Sequence, residues 1–352
     1  MQYYTGRPRG DSTLLLTRVP MKSWFVRFLL LATALAALAA AWAAWSVHRP
    51  LALAAPADFI VERGQTMRAA LREAAAAGAP LDADRLYWIA RATGRAERVV
   101  AGGYEVSDGM TPWQLVDRLN RGEVAHAELR LVEGWNVRQV RATIEGHPHL
   151  VQDTADLSDE ALLARIGADE AHPEGLFFPD TYRFARRSNA SALYRAAYEA
   201  MQRELASAWA QRDPDLPLDS PYEALILASI IEKETGRADE RELVASVFAN
   251  RLRIGMRLQT DPTVIYGYGE SFEGRLRRRH LDTDHEYNTY TRGGLPPTPI
   301  AMPGRAALLA AVQPAESDYL YFVARGDGTS KFSRTLREHN RAVNIHILGR
   351  DG

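Results

Sequence analysis

The chain has 352 residues, of which 46% are hydrophobic and 25% are charged, and its formal net charge at pH 7 is −1. This length and composition predict two folded domains with their own cores, and the near-neutral charge argues against a dedicated nucleic-acid-binding protein. The sequence contains no cysteine, which excludes disulfides, thiolate metal sites and a cysteine nucleophile.

An apolar run near the N-terminus gives the first structural signal. Residues 28–47 carry no charged side chain, and about 20 such residues can cross a bilayer as a helix. By the positive-inside rule, the basic residues 1–27 stay in the cytoplasm and the chain after Arg49 lies in the periplasm, anchored to the inner membrane by a single pass. The alternative is a cleaved signal peptide with Ala52 and Ala54 at its cleavage site, but the run is longer than the usual apolar core of such a peptide.

A tether at residues 48–57 leads into a small α/β module that we place at residues 58–127. Gly64-Gln65-Thr66 ahead of a helix resembles the entry of LysM-type glycan-binding modules. An ordinary spacer domain is the alternative interpretation. The predicted elements are a strand from Asp58, helices at residues 66–77 and 82–93, a turn at Gly102 and Gly103, a strand at residues 104–106, and a helix that begins at Pro112 and stops at Gly122.

Residues 128–352 are predicted to form a second domain of mixed α+β structure. A strand at residues 127–134 carries the chain into it, and a strand at residues 319–323 turns at residues 326–328 into a hairpin. An aromatic loop at residues 175–182 could stack on sugar rings, although core packing is the commoner role of such a cluster. The predicted helices cover residues 137–144, 159–166, 192–212, 219–236 and 239–253.

The helix predicted at residues 219–236 organises this second domain. Ser220 is suited to cap its first turn, Pro221 suits the first helical position, and Glu223 is placed to close a capping box. Gly236 provides a stop signal at the other end. These signals fix the length of the helix and the positions of its acidic residues.

Two acidic residues near the end of this helix differ in their predicted surroundings. Glu234 falls at the centre of a broad apolar face, whereas Glu232 shares the opposite, more easily solvated side with Ala228 and Ser229. Burial and the negative end of the helix dipole would both raise the pKa of Glu234. A carboxyl group that stays protonated near neutral pH can act as a general acid. The alternative is a glutamate that merely ends the helix and reaches water or an arginine.

Two polar clusters follow this helix. Their alternation of aromatic, amide and hydroxyl side chains suits a carbohydrate-binding groove, although Asn and Thr could also simply cap turns beside Pro262 and Pro296. The first cluster, within residues 257–269, contains Gln259, Thr260 and Asp261. The second contains Tyr287, Asn288, Thr289 and Tyr290.

The sequence carries no signature of a metal or cofactor site. His285 and His339 have no partner at a metal-ligand spacing, and no HExxH, Walker or dinucleotide motif occurs. We therefore predict neither a metal nor a cofactor. The basic segment at residues 275–280 is most simply a solvated face, and attraction to anionic wall or lipid is the minority interpretation.

Five longer sequence motifs resemble those of a known family. The sequence resembles the YceG-like family of endolytic murein transglycosylases, densely over residues 221–340 and more loosely back to about Arg130. The motifs are ASIIEKETG, VFANRLRIGMRLQTDPTVIYG, YNTY, GLPPTPIAMPG and YLYFVARGDG, in this order.

The resemblance implies an α+β protein with a transmembrane anchor, a LysM-like module and a catalytic domain. Such enzymes cut peptidoglycan glycan strands between N-acetylmuramic acid and N-acetylglucosamine without adding water, which leaves 1,6-anhydro ends. It places the catalytic acid at Glu234 and implies glycan binding by the two polar clusters, action on nascent strands, and partners among the peptidoglycan synthases.

Two other functions remain open from the sequence. A hydrolytic muramidase needs a second carboxylate to activate water, and Asp261 or Glu232 could supply it. A non-catalytic peptidoglycan-binding scaffold would need the glycan groove but no acid.

Overall fold

A computed structural model describes residues 21–349 of the protein. The chain forms two compact units, of which one ends at Val124 and the other begins at Ala125. This division lies close to the limit predicted at residue 127. The architecture is α+β, as predicted, and each sheet in the described part of the chain is a pair of strands.

Helix α1 (Met21–His48) contains the predicted apolar run. From Trp24 to His48 it is long and apolar enough to cross a membrane, and its large side chains are exposed. A membrane anchor and a signal sequence would both have these properties. Most of the predicted cytoplasmic segment, including Arg7, Arg9 and Arg18, lies outside the described residues.

The rest of the first unit has a β-α-α-β-α order around its own core. Strands β1 and β2 pair antiparallel, and the rings of Phe59 and Tyr104 stack across the pair at 5.8 Å. The turn predicted at Gly102 and Gly103 is wrong, because both glycines pair with β1 and so belong to β2. The elements are β1 (Ala57–Val61), α2 (Met67–Ala76), α3 (Ala83–Ala92), β2 (Gly102–Val106) and α4 (Pro112–Arg121).

The second unit contains most of the helices. Strand β3 pairs antiparallel with β5, β4 pairs parallel with β6, and β7 and β8 form the predicted hairpin. The elements are β3 (His126–Arg130), α5 (Val137–Glu145), β4 (Leu150–Val151), α6 (Asp159–Ile166), β5 (Thr181–Ala185), β6 (Ser188–Asn189), α7 (Ala190–Ala210), α8 (Pro221–Glu234), α9 (Arg241–Arg253), α10 (Asp261–Tyr268), α11 (Arg278–Asp282), α12 (Arg305–Val312), β7 (Tyr321–Ala324), β8 (Ser330–Ser333) and α13 (Leu336–His346).

Helix α8 lies at the centre of this unit and is buried on all sides. Every residue from 224 to 231 is buried, because α7, α9, α10 and α12 all pack against it. The prediction of a single apolar face was therefore wrong. Ala228 and Ser229, which were placed on the solvated side, are fully buried.

The ends of α8 follow the predicted signals only in part. The Ser220 hydroxyl accepts the Glu223 N–H, as expected for a cap. The Glu223 carboxylate accepts the N–H of Asp219 at 2.7 Å. It thus bonds to the residue before the cap, whereas a capping box would bond to the N–H of Ser220 itself. At the other end, Thr235 is extended and stops the helix before Gly236 is reached.

Ser229 ties the proline-rich loop before α12 to this central helix. Its Oγ donates to the carbonyl of Ile226 at 2.7 Å and accepts the N–H of Ile300 at 3.0 Å. The Ser229 hydroxyl and the Ile300 N–H are both buried. The hydroxyl therefore provides the acceptor that this backbone N–H needs. The loop is thereby held against α8 near its acidic end.

We expect Ser229→Ala to destabilise the protein, because it leaves the Ile300 N–H buried without an acceptor. The loss in unfolding free energy should be about 1–3 kcal/mol, measured by urea unfolding followed by circular dichroism. Ser207→Ala, on the exposed face of α7, is the matched control and should change stability by less than about 0.5 kcal/mol. Equal effects of the two changes would contradict this account of the loop.

Candidate active site

Glu234 is the last residue of α8, and its side chain is half-buried at the edge of a cleft in the second unit. The Thr260 hydroxyl donates a hydrogen bond to Glu234 Oε1. In the described part of the chain, Oε2 has no protein partner. The cleft encloses about 410 Å³ and, besides Glu234, is lined by Arg251, Gln259, Asp261, Tyr290, Tyr321 and His339 among others.

The surroundings of Glu234 favour its neutral form. Burial raises its pKa to about 7, and the negative charge of Asp261 acts in the same direction. The hydrogen bond from Thr260 and the positive charge of Arg251 oppose this shift but do not cancel it. Glu234 forms no ion pair within the described residues, so the alternative of a glutamate neutralised by an arginine is not what the structure shows.

Three threonines build the contact that holds the acid. The Thr260 N–H donates to Thr289 Oγ at 3.0 Å, and the hydroxyls of Thr263 and Thr289 lie 2.9 Å apart. All three side chains are buried. Thr260 and Thr289, predicted to bind glycan, therefore lie behind the cleft surface and fix the position of Glu234.

The remaining predicted residues divide between the cleft and its support. Gln259 and Asp261 are exposed in the cleft, and the Tyr290 hydroxyl donates to Asp261 Oδ1 at 2.6 Å. Asn288 is fully buried and uses its amide within its own loop, donating to the Thr283 carbonyl at 2.7 Å. Hence three of the seven predicted glycan contacts reach the cleft, namely Gln259, Asp261 and Tyr290.

Tyr287 lies apart from the cleft lining. Its ring packs edge-on against Tyr266 at 4.9 Å, and its hydroxyl lies 2.9 Å from Thr298 Oγ1. Both the ring and the hydroxyl of Tyr287 thus contact other protein groups. In this structure Tyr287 supports the loop that carries Tyr290.

Glu232 has different surroundings from those predicted. It is half-buried, its Oε2 accepts the Gly304 N–H at 3.0 Å, and burial raises the pKa of this carboxyl group as well. Glu232 is the less deeply buried of the two acids, as predicted, although the loop before α12 contacts it. It is absent from the cleft lining, so it is separated from the surface that Glu234 faces.

One wall of the cleft was not predicted from the sequence. Arg251 is only 7% exposed, and its guanidinium lies 5.2 Å from the Tyr321 ring. The His339 imidazole stacks on the same ring, also at 5.2 Å. A signal for Arg251 was present, since it follows Val247 by four residues and Phe248 by three and so extends the buried face of α9.

Comparison with known proteins identifies the family of the chain. The model of the YceG-like family matches residues 59–345, which is most of the chain. The protein belongs to the YceG-like family. A relative from Bacillus subtilis (strain 168), named endolytic murein transglycosylase, is 33% identical over 270 residues, covering 71% of this chain and 74% of the relative.

Two further family relatives extend the comparison. A protein of the same name from Streptococcus pneumoniae serotype 2 is 27% identical over 281 residues, covering 70% of this chain and 50% of that protein. The solved structure of a YceG-like protein from Listeria monocytogenes is 29% identical, with a TM-score of 0.52, and covers 81% of this chain and 98% of that chain.

A second buried carboxyl group supports the site of this YceG-like protein from behind. Glu174 is 1% exposed, and it accepts hydrogen bonds from the Val137 N–H at 3.0 Å and from the Tyr266 hydroxyl at 3.0 Å. Tyr266 belongs to α10, the helix that begins at Asp261. Burial raises the pKa of Glu174 to about 7. The glutamate thus links the loop before β5 to the helix that carries the cleft residues.

The raised pKa of Glu174 predicts how stability depends on pH. Because the folded-state pKa lies above the ordinary value, the stabilising contribution is complete below about pH 4.5 and is lost as pH rises through about 7. Glu234 contributes in the same direction. The unfolding free energy of the parent should decrease between about pH 4.5 and about 7. We expect Glu174→Gln to make this decrease smaller, by on the order of 1–3 kcal/mol.

The measurement is urea unfolding at half-unit intervals from pH 4 to 8. Glu199→Gln, on the exposed side of α7, is the control and should leave the pH profile of the parent unchanged. A profile of Glu174→Gln that runs parallel to the parent profile would show that this carboxyl group is not protonated in the folded protein.

Proposed function

We propose that the protein is an endolytic peptidoglycan lytic transglycosylase. It cleaves the bond between N-acetylmuramic acid and N-acetylglucosamine and leaves a 1,6-anhydromuramyl end. The observation that carries the proposal is Glu234, a carboxyl group with a pKa of about 7 at a cleft, in a family whose relatives bear this activity in their names.

The reaction needs one carboxyl group used twice. Protonated Glu234 gives its proton to the glycosidic oxygen as the bond from that oxygen to the muramyl C1 breaks. The resulting carboxylate then takes the proton of the muramyl C6 hydroxyl, whose oxygen bonds to C1. Since the nucleophile belongs to the substrate and is held beside C1, no water enters and the acid regains its proton.

The geometry of Glu234 suits both steps. Thr260 occupies Oε1, which leaves Oε2 as the atom that carries the proton toward the cleft. In the protonated state, partial burial keeps the proton on the acid until a basic oxygen is near. In the ionised state, the Thr260 hydroxyl and Arg251 stabilise the carboxylate.

A hydrolytic muramidase is less well supported. It would need a second carboxylate to activate water on the far side of the sugar. Glu232 is outside the cleft lining, and Asp261 already accepts a hydrogen bond from Tyr290. A non-catalytic scaffold gives no reason for an acid with a raised pKa that lines a cleft and whose Oε2 has no protein partner in the described part of the chain.

The cleft offers contacts for a glycan strand. The Gln259 amide, the Asp261 carboxylate and the Tyr290 phenol can bond sugar hydroxyls, and the Tyr321 ring offers an apolar face. We assign these residues to substrate binding. Thr260, Asn288 and Thr289 are assigned to the support of the acid and of the loop behind it.

The other parts of the chain fit an enzyme of the wall. We propose that α1 anchors the protein in the inner membrane with both folded units in the periplasm, where nascent strands are made. The first unit, with its antiparallel strand pair and two intervening helices, is proposed to be a LysM-like module that holds the glycan. Peptidoglycan synthases are the proposed protein partners.

We expect Glu234→Gln to lower the rate of cleavage by about 10²–10⁴-fold, because the amide cannot donate a proton and then accept one. Glu232→Gln should retain much of the activity, since Glu232 lies outside the cleft lining. Sacculi digested with each variant are analysed by mass spectrometry, in which an anhydro end is one water lighter than a reducing end. Equal losses in the two variants, or reducing ends in the parent digest, would count against the proposal.

The pKa of Glu234 also sets the expected pH dependence of cleavage. Because the acid must begin protonated, kcat/KM should fall as pH rises above about 7. Asp261→Asn removes a negative charge that raises the pKa of Glu234, so it should move this fall to lower pH, whatever its effect on binding. Asp156→Asn, an exposed acid outside the cleft, should leave the midpoint in place. A midpoint unchanged by Asp261→Asn would refute the assignment of the titrating group.

A further inference from the structure

Arg251 is a buried cation that forms an ion pair with none of the described residues. Its side chain donates from Nε to the Leu320 carbonyl at 2.7 Å and from Nη1 to the Leu258 carbonyl at 2.6 Å. These bonds fix the guanidinium in the wall of the cleft. Within the described residues, Nη2 donates to no protein group, and Arg251 forms no ion pair.

The carboxyl groups that share the cleft form no ion pair with Arg251 in the part of the chain that the structure describes. Glu234 accepts a hydrogen bond from Thr260, and Asp261 accepts one from the Tyr290 hydroxyl. Burying a cation without an anionic partner is costly, and an anion that enters the cleft would offset that cost. Arg251 is therefore prepared for an anion that enters the cleft.

Two neighbouring side chains add polar groups to the same wall. The Nδ1 atom of His339 is buried and has no hydrogen-bond partner. Since an unpaired buried N–H costs more than an unpaired lone pair, we assign the proton of the neutral imidazole to Nε2. His339 itself lines the cleft. Asn340 also lines the cleft and is exposed. With Arg251, these residues form a wall rich in donors.

We propose that the wall formed by Arg251, His339 and Asn340 binds a carboxylate of the substrate beside Glu234. This inference rests on the proposed function and names the group that the cleft recognises. N-Acetylmuramic acid differs from N-acetylglucosamine by a lactyl ether, whose carboxyl group is free in peptide-free strands and is an amide where a stem peptide is attached. The carboxylates of the stem peptide are the second source of the same chemistry.

Binding of a carboxylate here would also act on the acid. Arg251 lowers the pKa of Glu234 by attracting its carboxylate form. An anion bound to Arg251 offsets that attraction, so a correctly placed muramyl residue favours the protonated acid. Arg251 thus couples the binding of the substrate carboxylate to the pKa of Glu234.

The test compares strands that differ only in charge. Peptide-free strands are prepared with the lactyl carboxyl group free or converted to its methylamide, and uncrosslinked peptide-bearing strands are prepared with the stem carboxylates free or methylamidated. Their Kd values for the full-length Glu234→Gln protein are measured by calorimetry, and kcat/KM for anhydro ends is measured with the parent.

If the lactyl group is bound, its methylamide should weaken binding and kcat/KM by about 10- to 100-fold, as expected for loss of a desolvated charge pair. If a stem carboxylate is bound, the same loss should appear with the methylamidated stems. In either case, His339→Gln and Asn340→Ala, which do not hold backbone carbonyls, should reduce the ratio between charged and neutral strands, and Arg251→Gln should abolish it.

Less than a twofold difference in Kd for both pairs of strands would overturn the carboxylate site, as would a ratio that Arg251→Gln leaves unchanged in protein with a native circular dichroism spectrum. Failure of the proposed activity is distinguishable from failure of this site. It would appear as the absence of anhydro ends from every strand, whereas the charge preference is read from binding alone.

Discussion

The structure depends on the burial of the central turns of α8, because the packing that stabilises this helix also sets the chemistry at its end. Residues 224 to 231 are inaccessible to water, and α7, α9 and α12 surround them. The helix ends where this shell opens into the cleft, so its last residue, Glu234, is only partly solvated. Loss of water raises the pKa of its carboxyl group. A surface helix with the same sequence at its end would carry an ordinary, ionised glutamate.

Much of the second unit was predictable because its signals are local. The cap at Ser220, the position of Glu234 and the hairpin at β7 and β8 each depend on residues close in sequence. The surroundings of α8 were not predictable in this way, since Ala228 and Ser229 are buried by helices distant along the chain. Helices α10, α12 and α13 were also missed. Helices α10 and α12 have only 8 residues each, too few for a clear periodic pattern. Helix α13 has 11 residues, and the capping box of Thr335 and Glu338 at its start was a local signal that was overlooked.

The candidate site shows the same limit at the level of single side chains. The polar motifs identified the right loops, but residue type does not reveal which side of a loop faces the cleft. Thr260 and Thr289 are hydroxyl residues in such motifs, yet they are buried and support Glu234 from within. Arg251 and His339 were missed as cleft residues, because they come from α9 and α13 and meet only through the Tyr321 ring.

The opposing influences on the pKa of Glu234 are what the proposed use of this acid in two steps requires. Burial and Asp261 favour the neutral form, whereas Thr260 and Arg251 favour the carboxylate. A site with burial alone would hold the proton too strongly to release it to a glycosidic oxygen, and a site with the cation alone would ionise the acid before the substrate arrived. Because burial outweighs the influences that favour the carboxylate, a pKa of about 7 results. Small changes in charge within the cleft, including those that the substrate brings, then decide which form is present.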